Sequence, residues 1–327
     1  MKRMTAMPEL VYGDTMRSVI LDEAPGVRIH EVLASGVVES VTSDRRHPHS
    51  FAAAAIRRAG DVVQVRLNAP AVLRREVRRR SWRRETVVFG ADDDPYQGAE
   101  EHYRLMPQML SVLAEAHTPV AIYTSSHLVT RDVALLRLIS HVVPVTITVV
   151  IGALDAEISR RIDPGAATPS ARLDAIGRLA SAGLAPRAQI APLAPFLADD
   201  TDRLDELLAA LAAAGATGVS VAPLRLDGAA GAEFLSWVAD AHPALLRRYR
   251  SLYGRRDFVS AEYSAALRAR MAPLVERHGL GSRSPAGEPR TGESRTGEPR
   301  TGDARGVAKP NAGDCERQSA EATLTLF

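Results

Sequence analysis

The densest group of polar side chains in the sequence is an acidic turn directly after a short apolar run. The run covers residues 86–89, and Asp92, Asp93 and Asp94 follow it. If the run is a strand, three carboxylates stand at its carboxyl end, where they can bind a metal ion or accept hydrogen bonds from a ligand amine. The other interpretation is a solvated turn in which Pro95 opens the next helix.

Two further polar segments can carry chemistry. His47 and His49 lie beside arginines and can share a metal ion if the backbone between them is extended. With the acidic turn they would suit a metal-dependent hydrolase that lacks a clear third ligand set, and the alternative is a surface loop. Residues 74–84 hold a run of arginines around Trp82, which suits phosphate binding and base stacking, or an ordinary charged helix face balanced by Glu76 and Glu85.

Composition limits the possible classes of protein. The chain has 327 residues, of which 46% are apolar and 24% charged, enough for one large domain or two small ones. A net charge of +2 gives no global attraction to nucleic acid. The sequence has no apolar stretch of about 18 residues and no secretory signal, so we expect a cytoplasmic protein without a membrane partner. Its one cysteine, Cys315, excludes an internal disulfide and any site built from several thiolates of this chain.

The elements that would position these groups alternate between strands and helices. Short apolar or β-branched runs precede longer helical patterns six times, and this predicts a parallel α/β sheet or barrel with function at the carboxyl ends of its strands. In the fifth pair, Thr201 or Asp202 can cap the helix, Gly215 can end it, and four leucines share its buried face. The predicted pairs are 62–67 with 71–79, 86–89 with 102–117, 120–123 with 132–140, 143–151 with 170–182, 187–191 with 202–214, and 218–224 with 232–241.

The carboxyl-terminal segment differs from the rest of the chain. Residues 286–305 are four copies of a five-residue unit without a large apolar side chain, so they cannot offset the entropy of ordering. We therefore predict three regions: an amino-terminal segment over 1–61, a βα body over 62–280 and a disordered tail over 281–327.

Several motifs, in order and spacing, resemble radical S-adenosylmethionine proteins of the spore photoproduct lyase-like group. They are residues 81–85 (SWRRE), 94–97 (DPYQ), 103–106 (YRLM), 163–165 (DPG), 168–170 (TPS), 172–173 (RL) and 191–195 (APLAP). The resemblance implies a partial six-stranded TIM-type barrel in which three cysteines spaced C-x3-C-x2-C hold a [4Fe–4S] cluster, and the cluster cleaves S-adenosylmethionine to a radical. It also implies that the turn after the second strand and polar residues at later strand ends hold the S-adenosylmethionine.

The sequence departs from this pattern where the chemistry would occur. Aligned on Phe51, the three cysteine positions read Ser43, His47 and Ser50, and serine hydroxyls do not replace soft thiolates at a cluster. Ser125 stands where similar proteins carry a lysine after Thr124, and Val150 where they carry a serine.

The leading hypothesis is a degenerate radical S-adenosylmethionine protein, a pseudoenzyme that retains a residual ligand-binding or regulatory role. We expect no cluster, weak S-adenosylmethionine binding at most, no catalytic residue, and a small molecule or nucleic acid as partner. The alternative is the divalent-metal-dependent hydrolase built from His47, His49 and Asp92 to Asp94. The residues that the resemblance assigns to cofactor binding are Asp92, Asp93, Asp94, Tyr96, Gln97, Ser125, Arg172 and Pro192.

Overall fold

The computed structural model describes four strands near the amino terminus and then residues 68–90, 94–163, 165–226 and 228–281. The four strands form one sheet in the order β1-β2-β4-β3, in which β2 and β4 run parallel and the outer pairs antiparallel. Their bounds are β1 Leu10–Tyr12, β2 Thr15–Asp22, β3 Ile56–Ala59 and β4 Val62–Arg66.

The rest of the described chain alternates between strands and helices. A short 3-10 helix, His127–Asp132, lies between the strand Val120–Thr124 and the helix Val133–Ser140. The elements are α1 Ala69–Glu76, β5 Val87–Phe89, α2 Ala99–Tyr103, α3 Leu105–Glu115, β6 Val120–Thr124, α4 Val133–Ser140, β7 Val145–Val150, α5 Ala156–Ile162, α6 Pro169–Ser181, β8 Arg187–Leu193, α7 Thr201–Ala213, β9 Val219–Pro223, α8 Gly228–Ala241, α9 Pro243–Tyr253 and α10 Ala261–Arg277.

Strands β5 to β9 form a five-stranded sheet in sequence order, and all neighbouring pairs are parallel. Each strand is joined to the next by helix, which is how parallel strands are connected. The sheet is open, since among the described residues β5 and β9 do not pair with each other. The predicted α/β class with a partial barrel is confirmed, while the predicted strand 62–67 corresponds to β4, which pairs with β2 and β3.

Apolar periodicity placed the core correctly. On α7 the residues Leu204, Leu207, Leu208 and Leu211 are all buried. Gly215 follows that helix with a φ of +92°, the left-handed conformation that glycine adopts at least cost. The predicted cap was wrong, because Asp200 accepts the hydrogen bond from the Arg203 backbone N–H at 3.0 Å and Thr201 and Asp202 lie inside the helix.

Two helical segments differ from the prediction. The helix expected over 102–117 is divided at Arg104, which has a left-handed backbone and separates α2 from α3. The short helix α5 was not predicted, because seven residues give too little periodicity to recognise. It begins at Asp155, whose carboxylate accepts hydrogen bonds from two backbone N–H groups of the first turn.

Among the described residues, no helix combines the length and the apolar character needed to span a membrane. The predicted tail beyond residue 281 and the predicted loop holding Ser43, His47, His49 and Ser50 lie outside the described residues, as do Asp92 and Asp93.

Candidate functional site

Asp94 joins the turn after β5 to the end of β6. Its Oδ1 accepts hydrogen bonds from the Tyr96 backbone N–H at 2.9 Å and from Thr124 Oγ1 at 2.7 Å. Its Oδ2 accepts from the Ser125 backbone N–H at 2.7 Å and from Ser125 Oγ at 3.0 Å. Four donors from this chain therefore occupy the carboxylate, which is the number of lone-pair sites it offers.

A glycine allows that turn to lie against the neighbouring strand. Gly90 has a φ of +91°, and a Cβ added there would come 2.0 Å from the carbonyl oxygen of Tyr123 in β6. Any side chain would collide with backbone at this point, so the residue must be glycine. The close approach brings Asp94 within reach of Thr124 and Ser125.

Arg172 is buried beneath the ends of α5 and β7. Its Nε donates to the carbonyl of Ala167 at 2.7 Å and its Nη1 to the carbonyl of Val150 at 3.1 Å. Burial lowers the pKa of the guanidinium, and the Asp163 and Asp94 carboxylates act in the opposite direction. The side chain is only 2% exposed, so it fixes the loop before α6 to the end of β7 from inside the protein.

The next two strand ends also approach each other closely. A Cβ added to Gly152, just after β7, would come 2.5 Å from the carbonyl oxygen of Pro192 in β8. Pro192 is half-buried and follows Ala191 through a cis peptide bond. The carboxyl edge of the sheet is thus a closely packed row of strand ends.

A buried polar cluster that the sequence analysis missed lies behind the acidic turn. Arg131 donates to Glu100 Oε1 at 2.8 Å and to both carboxylate oxygens of Asp132. The remaining Glu100 oxygen accepts from the backbone N–H of Leu105, which begins α3. The cluster ties α2, α3 and the 3-10 helix together, and its members stand 31 residues apart in the sequence, too far for a local pattern to reveal.

Tyr96 belongs to the same region. It is fully buried, and its hydroxyl has no hydrogen-bond partner within normal geometry among the described residues. Burial raises its pKa strongly, and the nearby Asp132 and Glu100 carboxylates raise it further. The phenol therefore stays protonated and does not act as a base near neutral pH.

An aromatic cavity of about 360 Å³ opens beside the loops that follow β7 and β8. Phe196, Trp237 and His242 contribute its rings, and Glu157 and Arg203 are among its charged groups. Trp237 and His242 meet edge to face with ring centroids 5.1 Å apart. The cavity has the size and the mixed apolar and polar lining of a small-molecule site.

Asp199, which is buried behind Phe196, supports the part of the lining that Phe196 forms. The Asp199 Oδ1 accepts from the Phe196 backbone N–H at 2.6 Å, and its Oδ2 accepts from Tyr263 and Arg270 of α10. The Arg248 guanidinium lies over the Phe196 ring at 4.0 Å from its centroid. Sequence reasoning missed this cavity because its lining comes from α5, the loop after β8, α7, α8 and α9, which lie far apart in the sequence.

The structure brings together some of the residues that sequence reasoning assigned to cofactor binding. Asp94 and Ser125 contact each other directly, and Tyr96 and Gln97 follow in the same turn. Arg172 faces the same strand ends from inside, whereas Pro192 lies two strands from β6. A role in binding a ligand stays a prediction for each of them.

The donors required by an iron–sulfur cluster do not fit the residues of this chain. One cysteine, at position 315, cannot provide three thiolates, and no group of three or more histidine, cysteine, aspartate or glutamate side chains capable of holding a metal occurs in the described part of the chain. We therefore derive no reaction step through a cluster or a metal ion.

Comparison with known proteins identifies relatives over most of the chain. Proteins described as uncharacterized from Mycobacterium tuberculosis and Mycobacterium bovis are each 36% identical over 306 residues, which cover 86% of this chain and 90% of theirs. The chain belongs to the family of these mycobacterial proteins. No family model matches it.

Among solved structures, the matches to this chain are partial and low in identity. Spore photoproduct lyase superposes with a TM-score of 0.49 at 16% identity, covering 67% of each chain. SuiB of Streptococcus suis bound to the precursor peptide SuiA gives a TM-score of 0.38 at 12% identity, covering 59% of this chain and 36% of that one.

Proposed function

We propose that this protein binds a small molecule without performing radical chemistry, on a scaffold of the radical S-adenosylmethionine type. The observation that carries the proposal is the commitment of Asp94, whose carboxylate accepts four hydrogen bonds from the chain itself. A carboxylate in that state is not free to act as a base or to bind a metal ion. The polar residues kept at the strand ends then serve the scaffold, and the function is binding or regulation.

The cysteine content supports the absence of a cluster. A site-bound [4Fe–4S] cluster of the expected kind needs three thiolates, and the chain has one cysteine. Ser43, His47 and Ser50 stand at the aligned positions, and hydroxyls are too hard and too weakly acidic to replace thiolates.

The aromatic cavity is the place where we expect the ligand. It lies on the carboxyl side of β7 and β8, where parallel α/β proteins usually bind their ligands. The Glu157 carboxylate and the His242 ring have no hydrogen-bond or ion-pair partner among the described residues, so both remain available to a ligand. An adenosyl or other nucleoside-like group would suit the rings of Trp237 and Phe196.

The metal-dependent hydrolase is not proposed. The described residues give it no support, because Asp94 is occupied by the scaffold and the described part of the chain holds no metal-binding group. His47, His49, Asp92 and Asp93 lie outside the described residues.

Anaerobic reconstitution tests the absence of a cluster. After treatment with iron and sulfide and then desalting, we expect no stoichiometric absorbance near ~400 nm. The variant Cys315→Ala is the control for iron that binds adventitiously to Cys315 in the tail. A stoichiometric cluster that survives desalting in both proteins would contradict the proposal.

Calorimetry and fluorescence test the binding site. S-adenosylmethionine should bind more weakly than about 100 μM, since a cluster and a lysine at the Ser125 position would each supply a charge-assisted contact that this chain lacks. Trp82→Phe leaves Trp237 as the single tryptophan, and its fluorescence should change on binding. Micromolar binding with no change at Trp237 would refute this location. Arg172→Ala is a poor probe, because loss of a buried guanidinium also disturbs the fold.

A further inference from the structure

A second cavity lies at the opposite, amino edge of the sheet, between α1 and α3. It has a volume of about 290 Å³, and its lining includes three arginines, Arg74, Arg78 and Arg84. The segment from Val77 to Thr86 leads into β5, and Glu115 ends α3 just before β6, so both walls stand where the strands begin. The cavity is therefore separate from the carboxyl edge described above.

The three arginines are poorly neutralised. Among the described residues, the one ion pair of these arginines joins Arg74 to Glu115 at 4.0 Å, and both side chains are exposed, so the contact is weak. Arg78 and Arg84 have no hydrogen-bond or ion-pair partner among the described residues. Three guanidinium groups thus share one cavity with a single carboxylate.

The surrounding segment concentrates positive charge further. Residues 74–85 contain seven arginines and two glutamates, a net charge of +5, whereas the whole chain has a net charge of +2. The rest of the protein is consequently net negative. A local excess of this kind raises the concentration of anions near the cavity.

One of these arginines has a backbone conformation that costs conformational free energy. Arg84 has a φ of +56°, a left-handed conformation that is unfavourable for a residue with a side chain. The loop that holds it is fixed by Trp82, whose indole N–H donates to Thr118 Oγ1 at 2.9 Å. The dipole of α1 explains arginines in its last turn, such as Arg74, but not Arg78 and Arg84, which lie beyond the helix.

The lining of the cavity indicates the kind of anion. The apolar residues Val77, Val112 and Ala116 line it beside the charged groups. The indole N–H of Trp82 is bonded within the protein and the ring packs against the core, so it offers no stacking platform for single-stranded nucleic acid. No large apolar side chain is exposed on this segment to enter a membrane. Arginine forks match phosphate oxygens in pairs.

We propose that this cavity binds a small molecule carrying two or three linked phosphates, through Arg74, Arg78 and Arg84. The site needs no metal ion and no residue of the aromatic cavity. Its function would be recognition or regulation, since no serine, cysteine, histidine or lysine lines it and its one carboxylate, Glu115, faces Arg74.

Titration with sodium tripolyphosphate in low-salt buffer free of phosphate and sulfate tests the proposal. Wild-type protein should bind it and gain thermal stability. The variant Arg78→Gln/Arg84→Gln should bind at least tenfold more weakly, because two charge-assisted contacts are lost. Without the anion this variant should melt at the same temperature as wild type or higher, since like charges are removed, whereas a structural role for the arginines would lower its Tm.

A matched control is Arg247→Gln/Arg255→Gln, which removes the same charge from exposed positions on and after α9. It should bind tripolyphosphate as wild type does. Equal loss of binding in both variants, unchanged binding in the cavity variant, or sulfate binding as tightly as tripolyphosphate would each overturn the proposal, the last meaning an adventitious ion only. Binding of a 20-base-pair duplex or of anionic vesicles in an Arg78- and Arg84-dependent manner, without tripolyphosphate binding, would also overturn it.

Discussion

At the scale of single residues, the carboxylate of Asp94 determines how the turn after β5 meets β6. Its two oxygens accept from Tyr96, Thr124 and Ser125, and the partners on β6 stand 30 and 31 residues away in the sequence. The same atoms would be required for ligand binding, so a ligand at this turn would have to compete with these internal hydrogen bonds. Contacts between residues so far apart in the sequence determine the role of an acidic side chain, and a local sequence pattern does not reveal them.

Replacing Asp94 by asparagine should destabilise the protein. One oxygen can still accept from Tyr96 and Thr124, but the amide NH2 would face the Ser125 backbone N–H and lose that hydrogen bond, and the Ser125 hydroxyl would have to turn from donor to acceptor. We expect the free energy of unfolding to fall by about 1–3 kcal/mol in urea denaturation. The control Asp174→Asn alters an exposed ion pair with Arg178 and should change stability by less than about 0.5 kcal/mol. Equal stability of the Asp94 and Asp174 variants would mean that Asp94 is not tied to β6.

Which parts of the site could be predicted depends on how far apart in the sequence the contacting residues lie. The acidic turn, its place after a strand and the following DPYQ motif could be recognised in the sequence. The burial of Arg172 against Val150 and Ala167, and the unbonded hydroxyl of Tyr96, could not, because both depend on packing between separate elements.

At the scale of elements, α10 is attached to the sheet through the loop after β8. Arg270 and Tyr263 of α10 both contact the Asp199 carboxylate, and Arg270 also donates to the Asp199 backbone carbonyl. Asp199 in turn holds the Phe196 backbone N–H, so the aromatic cavity and the last helix share one anchor. Strand and helix patterns predicted β8 and α7 but not this connection, since α10 lies after the last predicted pair.

Asp199→Asn should loosen α10. The substitution removes the ion pair with Arg270 and places an amide NH2 near a guanidinium, so we expect a loss of about 2–3 kcal/mol in the free energy of unfolding. Adding Arg270→Gln should cost less in this background than in wild type, because the two side chains interact. Asp205→Asn, which affects contacts with the exposed Arg277 at the end of the same helix and with the half-buried His278 after it, should have a much smaller effect. Additive effects of the Asp199 and Arg270 substitutions would contradict the shared anchor.

At the scale of the whole molecule, Leu280 packs into the described body near its carboxyl-terminal end. Its side chain is 1% exposed, and its carbonyl accepts a hydrogen bond from the Val219 backbone N–H at the start of β9. The repeats that follow have no large apolar side chains, and composition on that ground predicts a folded body that ends near residue 280, a boundary that stays a prediction. The two candidate cavities lie at opposite edges of the sheet, a separation that follows from the parallel order of β5 to β9.

Truncation on either side of Leu280 should give opposite results. A chain that ends at Gly281 should keep its thermal transition within a few degrees of the full chain, because the removed residues bury little. A chain that ends at Gly279 loses the buried leucine and its hydrogen bond, and should lose about 2–3 kcal/mol of stability. Scanning calorimetry of both chains checks this, and a large drop in Tm for the longer one would show that the tail docks on the body.

The position of Asp94 between two strand ends also has a consequence for how such chains are classified by homology. Selection for a stable fold is sufficient to preserve Asp94 and Arg172, because both hold backbone in place. A lineage can therefore stop catalysing and still keep these two positions through many generations. If an enzyme activity is assigned by homology on the basis of these two residues, it will also be assigned to descendants that keep the fold without the activity. The number of cysteines available as cluster ligands is the better criterion for assigning radical chemistry, because it depends on the chemistry and not on the fold.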